Sequence, residues 1–436
     1  MAAVRSGRPC GADRAVTSRT IAVVCLLALL GACATAPVVS SEPTSEVPPV
    51  SPESTRRDDA PFGPSEMRGT WMVASMSKDG GRRGDELARL RGNAAFFQAR
   101  SRGDAWFDSA IEPIATPGGD PLGACIAASR GDYDVHAWIN MNLVADASRL
   151  PTDPRHLVRT HPEWLCVPDA VVAGLRGRTP DSPDYVSAIA THCASRKNEF
   201  EGLFADPAHP DYRAHVVRIV EDLARRYAVR GVHFDYIRYA STGSGLSRRG
   251  MSEFEARIDA EIDAASKREL AGRRKSDPLA YARRFPKAYA AFRRESVTRL
   301  VEEASAAARR ARPGLLVSAA VFPDIDDARD RRHQDWPSWL AAGTVDAVAP
   351  MLYMKDARDY ERRLRAAVAV KGSGRVWAGI GAWLLGPEAT AERIDLVRRC
   401  GADGWVLFSH HALLAMPNAA DVLRDGPLRL RSRPPE

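Results

Sequence analysis

Tyr227-Ala-Val-Arg-Gly-Val-His-Phe-Asp-Tyr-Ile-Arg-Tyr239 decides how this chain is read. An amphipathic helix runs into the stretch. Val216, Ile219, Val220, Leu223 and Tyr227 fall on one stripe at helical spacing. Residues 229–234 then read as a short buried strand, and the strand ends on a carboxylate, Asp235. Side chains alternate along a strand, so His233 and Asp235 share one face while Val232 and Phe234 take the other. If the apolar face packs on helices, the His/Asp face points to the inside or the mouth of a sheet.

Working outward, apolar strand-like runs alternate with helical patterns. The runs are 68–73, 94–99, 135–140, 229–235, 315–322, 345–353, 376–382 and 405–409. Helical periodicity is clear over 215–227, 292–310, 360–370 and 389–400. Such alternation predicts a parallel sheet. Eight units over roughly 350 residues predict an α/β fold, a closed (β/α)8 TIM barrel. An open doubly wound sheet is the rival, but it usually carries a Gly-rich phosphate turn after its first strand, and none follows Trp71. Two connections are too long for plain loops. One, 143–207, follows strand three. The other, 240–287, follows strand four and holds a charged helix over 252–268. Both leave from the strand ends where a barrel keeps its active site, so they are expected to wall a cleft.

The chain has 436 residues, 45% hydrophobic and 27% charged, with a net charge of +7. Its arginines are spread over many helix faces, and no nucleic-acid-binding motif appears, so nucleic acid is not an expected partner. Arg5, Arg8, Arg14 and Arg19 precede the apolar run 21–30, and Leu30-Gly-Ala-Cys33 follows. This is the layout of a secretory signal. Its end resembles a bacterial lipobox, which implies cleavage before Cys33 and lipid on that sulfur. Ala34 after the cysteine suggests the outer membrane, facing the periplasm or the cell surface. The expected division is a lipoprotein signal peptide over 1–32, a tether over 33–66, the barrel over 67–425 and a tail over 426–436. Cys166 and Cys193 lie in one loop-like stretch and are the expected disulfide in an oxidising compartment. Cys125 and Cys400 read as small buried apolar residues. No Cys/His spacing suggests a metal, and no cofactor is expected.

The carboxyl ends of the predicted strands gather polar and aromatic residues. Strand two offers Gln98 and Arg100, with Asp104 in the loop. Strand three offers Trp138 and Asn140, and strand four offers His233, Asp235 and Arg238. Strand six ends at Tyr353, strand seven at Trp383, and strand eight leads to His410 and His411, read as helix-start residues. Aromatic faces with Asn, Gln and Arg donors suit a carbohydrate. Asp235 is the candidate catalytic group. Its alternative role is structural, paired with Arg238 or Arg100, and His233 is read equally as a core histidine.

With these residues placed, the sequence resembles the glycosyl-hydrolase-like family related to family-10 glycoside hydrolases, often found as bacterial envelope lipoproteins. The resemblance spans 67–413 and rests on blocks in order. They are Met67-Arg-Gly-Thr-Trp-Met72, Phe97-Gln-Ala-Arg100, the run to Ser109, Val135-His-Ala-Trp-Ile-Asn140, His161-Pro-Glu-Trp164 and Asp206-Pro207. Gly231 to Tyr239 is the most specific. Gln334-Asp-Trp336, Asp346 to Tyr353 and Gly401-Ala-Asp-Gly404 complete the set. Ala240 departs from the pattern, which generally has Pro there, and 166–193 looks inserted. The resemblance implies a (β/α)8 barrel that hydrolyses glycosidic bonds, with Asp235 at the usual acidic position.

Glycoside cleavage normally takes two carboxyl groups, roughly 5 Å apart for retention and roughly 6.5–9.5 Å apart for inversion. The second is open. Asp324 and Asp104 rank first, ahead of Asp356, Glu253 and Glu255. A second route needs one protein carboxyl only, because a 2-acetamido group on the sugar can act as nucleophile. Peptidoglycan glycan strands carry that group, and they are the expected polysaccharide substrate. A catalytically inactive glycan-binding lipoprotein is the alternative.

Overall fold

The computed structural model describes residues 63–76, 86–87 and 89–434. The expected leader, Cys33 and most of the tether lie outside the described residues. Among the described residues no helix is long and apolar enough to cross a membrane.

Eight parallel strands close into a barrel. They are β1 Met67–Met72, β2 Ala94–Ser101, β3 Asp134–Asn140, β4 Gly231–Asp235, β5 Leu316–Val321, β6 Ala347–Leu352, β7 Arg375–Gly381 and β8 Gly404–Phe408. Each pairs with its neighbour in sequence, and β1 pairs with both β2 and β8, so no edge is left. The closing seam needs Gly404. Its φ is +142°, and a Cβ there would collide with the Met67 carbonyl.

Alternation sorts the side chains as the sequence implies. Met67, Trp71, Phe96, Trp138, Trp377 and Val406 fill the inside of the barrel. Val232 and Phe234 face outward onto α3 Pro210–Arg226, whose Val216, Ile219, Val220 and Leu223 are fully buried. Each such side chain stabilises the packing by about 1.5–3 kcal/mol. The other main helices are α1 Pro121–Ser129, α2 Pro183–Ser195, α4 Arg248–Glu261, α5 Ala264–Arg274, α6 Pro286–Ala311, α7 Ile325–Arg331, α8 Trp336–Ala341, α9 Ala357–Ala369 and α10 Pro387–Arg399. Prolines at the first turns of α3 and α6 set their starts, at 210 and 286, ahead of the expected starts at 215 and 292.

The two long connections are folded. The first holds α2 between two short antiparallel strands, Leu143–Ala145 and Leu203–Phe204. The second was expected to hold one charged helix. It holds α4 and α5, because Asp263 caps a new start by accepting from the N–H groups of Ala265 and Ser266 at 2.8 and 2.9 Å. The joint between the two insertions is backbone: Pro168 bridges Ser244, and Asp169 N–H donates to Gly243 O at 3.0 Å.

Two expectations are corrected. Cys166 and Cys193 are separate buried thiols, as are Cys125 and Cys400. Burial pushes the Cys193 thiol up to about 12 and the Cys166 thiol well above its ordinary value, which suppresses the thiolate that oxidation needs. The domain boundaries also move. Gly63 N–H donates to Arg431 O at 2.8 Å, Glu66 pairs with Arg398 at 2.7 Å, and Leu428 is fully buried. Residues 63–66 and 428–432 therefore belong to the folded domain rather than to a tether and a tail.

Candidate active site

The β3–β4 register places Asn140 beside Asp235 and Trp138 beside His233. Asp235 is 9% exposed. Its Oδ2 accepts from Trp138 Nε1 at 3.0 Å, and its Oδ1 accepts from the Tyr236 N–H at 2.7 Å. Tyr236 takes φ +52°, a left-handed conformation uncommon for a non-glycine residue, which turns the chain sharply off the strand. Burial pushes the Asp235 carboxyl up to about 6. The Tyr236 N–H, Arg238 and the Trp138 indole pull against that rise, and the nearby Glu201 adds to it.

Beneath Asp235 the barrel is filled by buried side chains. His233 is fully buried; Trp71 Nε1 donates to its Nε2 at 3.1 Å, and its Nδ1 meets Ser318 Oγ at 2.9 Å. Because the indole can only donate, Nε2 accepts and the proton sits on Nδ1. Burial holds this imidazole well below its ordinary pKa, hence neutral. Of the two readings open for His233, the structure favours the satisfied core histidine over the substrate-binding residue. It supports the floor on which Asp235 stands.

Both arginines expected to bind substrate are held in buried ion pairs. Arg100 is fully buried, with Nε 2.7 Å and Nη2 2.6 Å from the Glu112 carboxylate. It also donates to the carbonyls of Asn140 and Met141, and His215 Nε2 lies 3.1 Å from Glu112. This cluster fastens the ends of β2 and β3 to α3. Arg238 pairs with Glu201 at 2.7 Å and is 4% exposed. The rings of Tyr236, Phe322 and Phe204 surround its guanidinium at 5.0, 5.2 and 5.3 Å. Neither arginine has a free fork for a sugar hydroxyl, so both assignments are corrected.

Neither of the two first-ranked second acids is among the main groups that act on the Asp235 carboxyl. Asp324 caps α7 by accepting from Asp327 N–H at 3.0 Å and pairs with Arg363 at 2.8 Å. Its carboxylate serves a helix start. Asp104 follows a turn with positive φ at Arg102 and Gly103. Burial and the nearby Glu112 push it up to about 6, and its other charged neighbours are Arg100 and Asp153. Asp104 thus answers to a different set of charges from Asp235. Asp356 caps α9, Glu253 pairs with Arg249, and Glu255 pairs with Arg274.

The remaining named residues form a wall. Tyr353, Trp383 and Phe408, all partly exposed, pack as one aromatic group with centroids 4.9, 5.4 and 5.6 Å apart. Trp138 touches it through Phe408 at 6.4 Å. Asn140 is 1% exposed and its Oδ1 has no hydrogen-bond partner; Gln98 is 6% exposed on the same inward parity. Trp71, Ser318, Phe408 and Glu201 are the residues that sequence reading missed. Inward parity in β1, β5 and β8 marks the first three. Nothing local marks Glu201. His410 and His411 start a short helix as expected. No group of three metal-ligating side chains occurs among the described residues.

The chain has relatives among known proteins. The family described as glycosyl hydrolase-like 10 matches residues 66–373. Glycosyl hydrolase DigH of Escherichia coli strain K12 is 25% identical over 338 residues, covering 71% of this chain and 66% of that protein. Glycosyl hydrolase YngK of Bacillus subtilis strain 168 is 22% identical over 298 residues, covering 62% and 47%. The chain thus spans less than two thirds of the length of these relatives. Among solved structures, the PgaB (BpsB) glycoside hydrolase domain from Bordetella bronchiseptica superposes with a TM-score of 0.55 at 15% identity, covering 82% of this chain and 98% of that one. Alpha-L-fucosidase isoenzyme 2 from Paenibacillus thiaminolyticus gives 0.52 at 18% identity, covering 82% and 48%. At such identities the likeness carries the fold alone, a (β/α)8 barrel.

Proposed function

The chain belongs to the glycosyl hydrolase-like 10 family, and from that premise we propose that it cleaves glycosidic bonds in a cell-envelope polysaccharide, the glycan strands of peptidoglycan, with Asp235 as acid/base. The observation that carries this reading is the Asp235 environment. A carboxyl pushed up to about 6 stays partly protonated in mildly acidic solution and stands on a fixed indole donor beside a partly exposed aromatic wall. An acid of that strength can protonate the leaving glycosidic oxygen and take the proton back from water. Tyr353 and Trp383 offer faces for sugar C–H groups.

Because Asp324 caps α7 and pairs with Arg363, and Asp104 answers to the charges of Glu112, Arg100 and Asp153, the chemistry favoured here is the one that needs a single protein carboxyl. The 2-acetamido oxygen of an N-acetylated sugar attacks the anomeric carbon while Asp235 gives its proton to the departing oxygen. Water then opens the ring intermediate, with Asp235 as base. Asp235→Asn keeps the shape and loses the proton. Release of reducing ends from defined glycan strands should fall by about 10²–10⁴. Unchanged release would refute the assignment.

The leader motif supports a lipid on Cys33 and an outer-membrane place facing the periplasm or the cell surface. Cys33→Ser should leave the protein soluble in the envelope fraction and unlabelled by palmitate. An inactive glycan binder is the second reading, drawn from the engagement of Asp324 in a helix cap and an ion pair. It requires glycan binding with no reducing ends, and binding that Asp235→Asn leaves unchanged.

A further inference from the structure

A second cavity lies between the two insertions. It holds about 400 Å³, within the roughly 300–1,000 Å³ range of small-ligand sites. Its lining comes from residues 167–185 and 245–279, and none from a barrel strand. Val172, Leu175, Leu246, Met251 and Leu279 make most of the wall apolar.

Two carboxylates interrupt that wall. Asp169 Oδ1 is enclosed and has no hydrogen-bond partner. Glu255 is 6% exposed, and its ion-pair partner is Arg274, with Nε at 3.0 Å. Arg274 reaches in from α5 and is itself about half exposed, at 53%. Burial pushes both carboxyls up in spite of the arginines around them. Poorly partnered carboxylates against an apolar wall are costly in isolation and favour a cation brought in from outside. The two other arginines of the lining hold the rim instead. Arg248 donates to Leu175 O at 2.8 Å and to Arg178 O, and Arg176 donates to Lys275 O. The close seat of Asp169 is built into the backbone. A Cβ on Gly245 would collide with Val167 O and stand 2.7 Å from Asp169 Oδ1.

We propose that this cavity is a binding site, separate from the barrel mouth, for a primary ammonium on an aliphatic stem. Asp169 and Glu255 take the charge, and the apolar wall takes the stem. Arg274 is the resident cation that the ligand's ammonium displaces from Glu255. A ligand of this class is a lysine-like side chain; a neutral aliphatic chain leaves Arg274 on Glu255 and brings no charge to Asp169.

The test titrates the full chain by calorimetry with three probes: N-acetyl-lysine amide, its neutral counterpart N-acetyl-norleucine amide, and N-acetyl-glutamate amide. Saturable binding of the lysine probe is expected, at least tenfold tighter than either of the others. Asp169→Asn and Glu255→Gln should each weaken it about tenfold. Arg274→Ala should tighten it severalfold, because the competing cation is gone. Met251→Trp fills the cavity without touching a charge and should abolish binding. Cleavage of glycan strands by these variants should stay at the wild-type rate. Equal affinity for the norleucine probe, preference for the glutamate probe, or binding indifferent to the two acid variants and to Met251→Trp would overturn the site.

Discussion

Trp138 stands opposite His233 in the β3–β4 register, yet its indole Nε1 reaches past that residue to Asp235 Oδ2 at 3.0 Å. The donor for the Asp235 carboxyl therefore comes from one layer below it. That bond favours the ionised form of Asp235. Trp138→Phe removes the donor and keeps the ring. The Asp235 proton should then be held more tightly, and the basic limb of the pH–rate profile should move to higher pH. A limb that moves down, or stays, would remove the indole from control of this proton.

Glu201 pulls the same limb the other way. Its charge raises the Asp235 carboxyl while Arg238 lowers it, and the two are paired at 2.7 Å. Glu201→Gln leaves Arg238 uncompensated, so Asp235 should become the stronger acid and the basic limb should shift to lower pH. The same variant breaks a buried pair, and a stability loss of about 3–5 kcal/mol is expected in denaturant.

Asp235 also predicts a pH-dependent stability difference. Its folded pKa, about 6, lies above the ordinary carboxyl value. The folded chain therefore holds this proton more tightly than the unfolded chain. Its contribution to stability is present at low pH and is lost as the pH rises from the ordinary value, about 4, to about 6. Asp235→Asn has no proton to lose. Its stability relative to wild type should rise between pH 4 and pH 7.5 by up to about 3 kcal/mol, read from urea midpoints at the two pH values. A mutant-minus-wild-type stability that stays constant or falls as the pH rises would contradict the raised carboxyl.

Arg100 should matter to the fold and not to substrate affinity. Arg100→Met strands Glu112 in a fully buried place, and a loss of about 3–5 kcal/mol is expected. KM of the surviving folded fraction should stay near the wild-type value. A large rise in KM at unchanged stability would return Arg100 to the substrate.

The barrel was legible because its signal is repeated eight times and each repeat is local. Facing was legible too. Alternation placed His233 and Asp235 inside and Val232 and Phe234 outside, as found. Depth was not legible. His233 and Asp235 are two residues apart on one face, and only the structure shows that one is sealed under Trp71 while the other stands at the mouth. The two arginines were misread for a related reason. Their partners, Glu112 and Glu201, lie 12 and 37 residues away in irregular segments, where periodicity carries no information. Helix starts such as Asp324 and Asp356 look like free acids at strand ends until their cap bonds are seen.

The ring closes through β1 and β8, and the family match ends at residue 373, before β7 begins. A fragment cut at that point would be an open six-stranded sheet with raw edges on Met67–Met72 and Ala347–Leu352, the kind of edge that recruits other chains. It would also expose Trp71, whose ring packs against Phe408 of the missing last strand. The smallest piece worth expressing therefore runs past the recognisable family segment, through Phe408 and on to the strap at Arg431 that holds the first residues of the barrel.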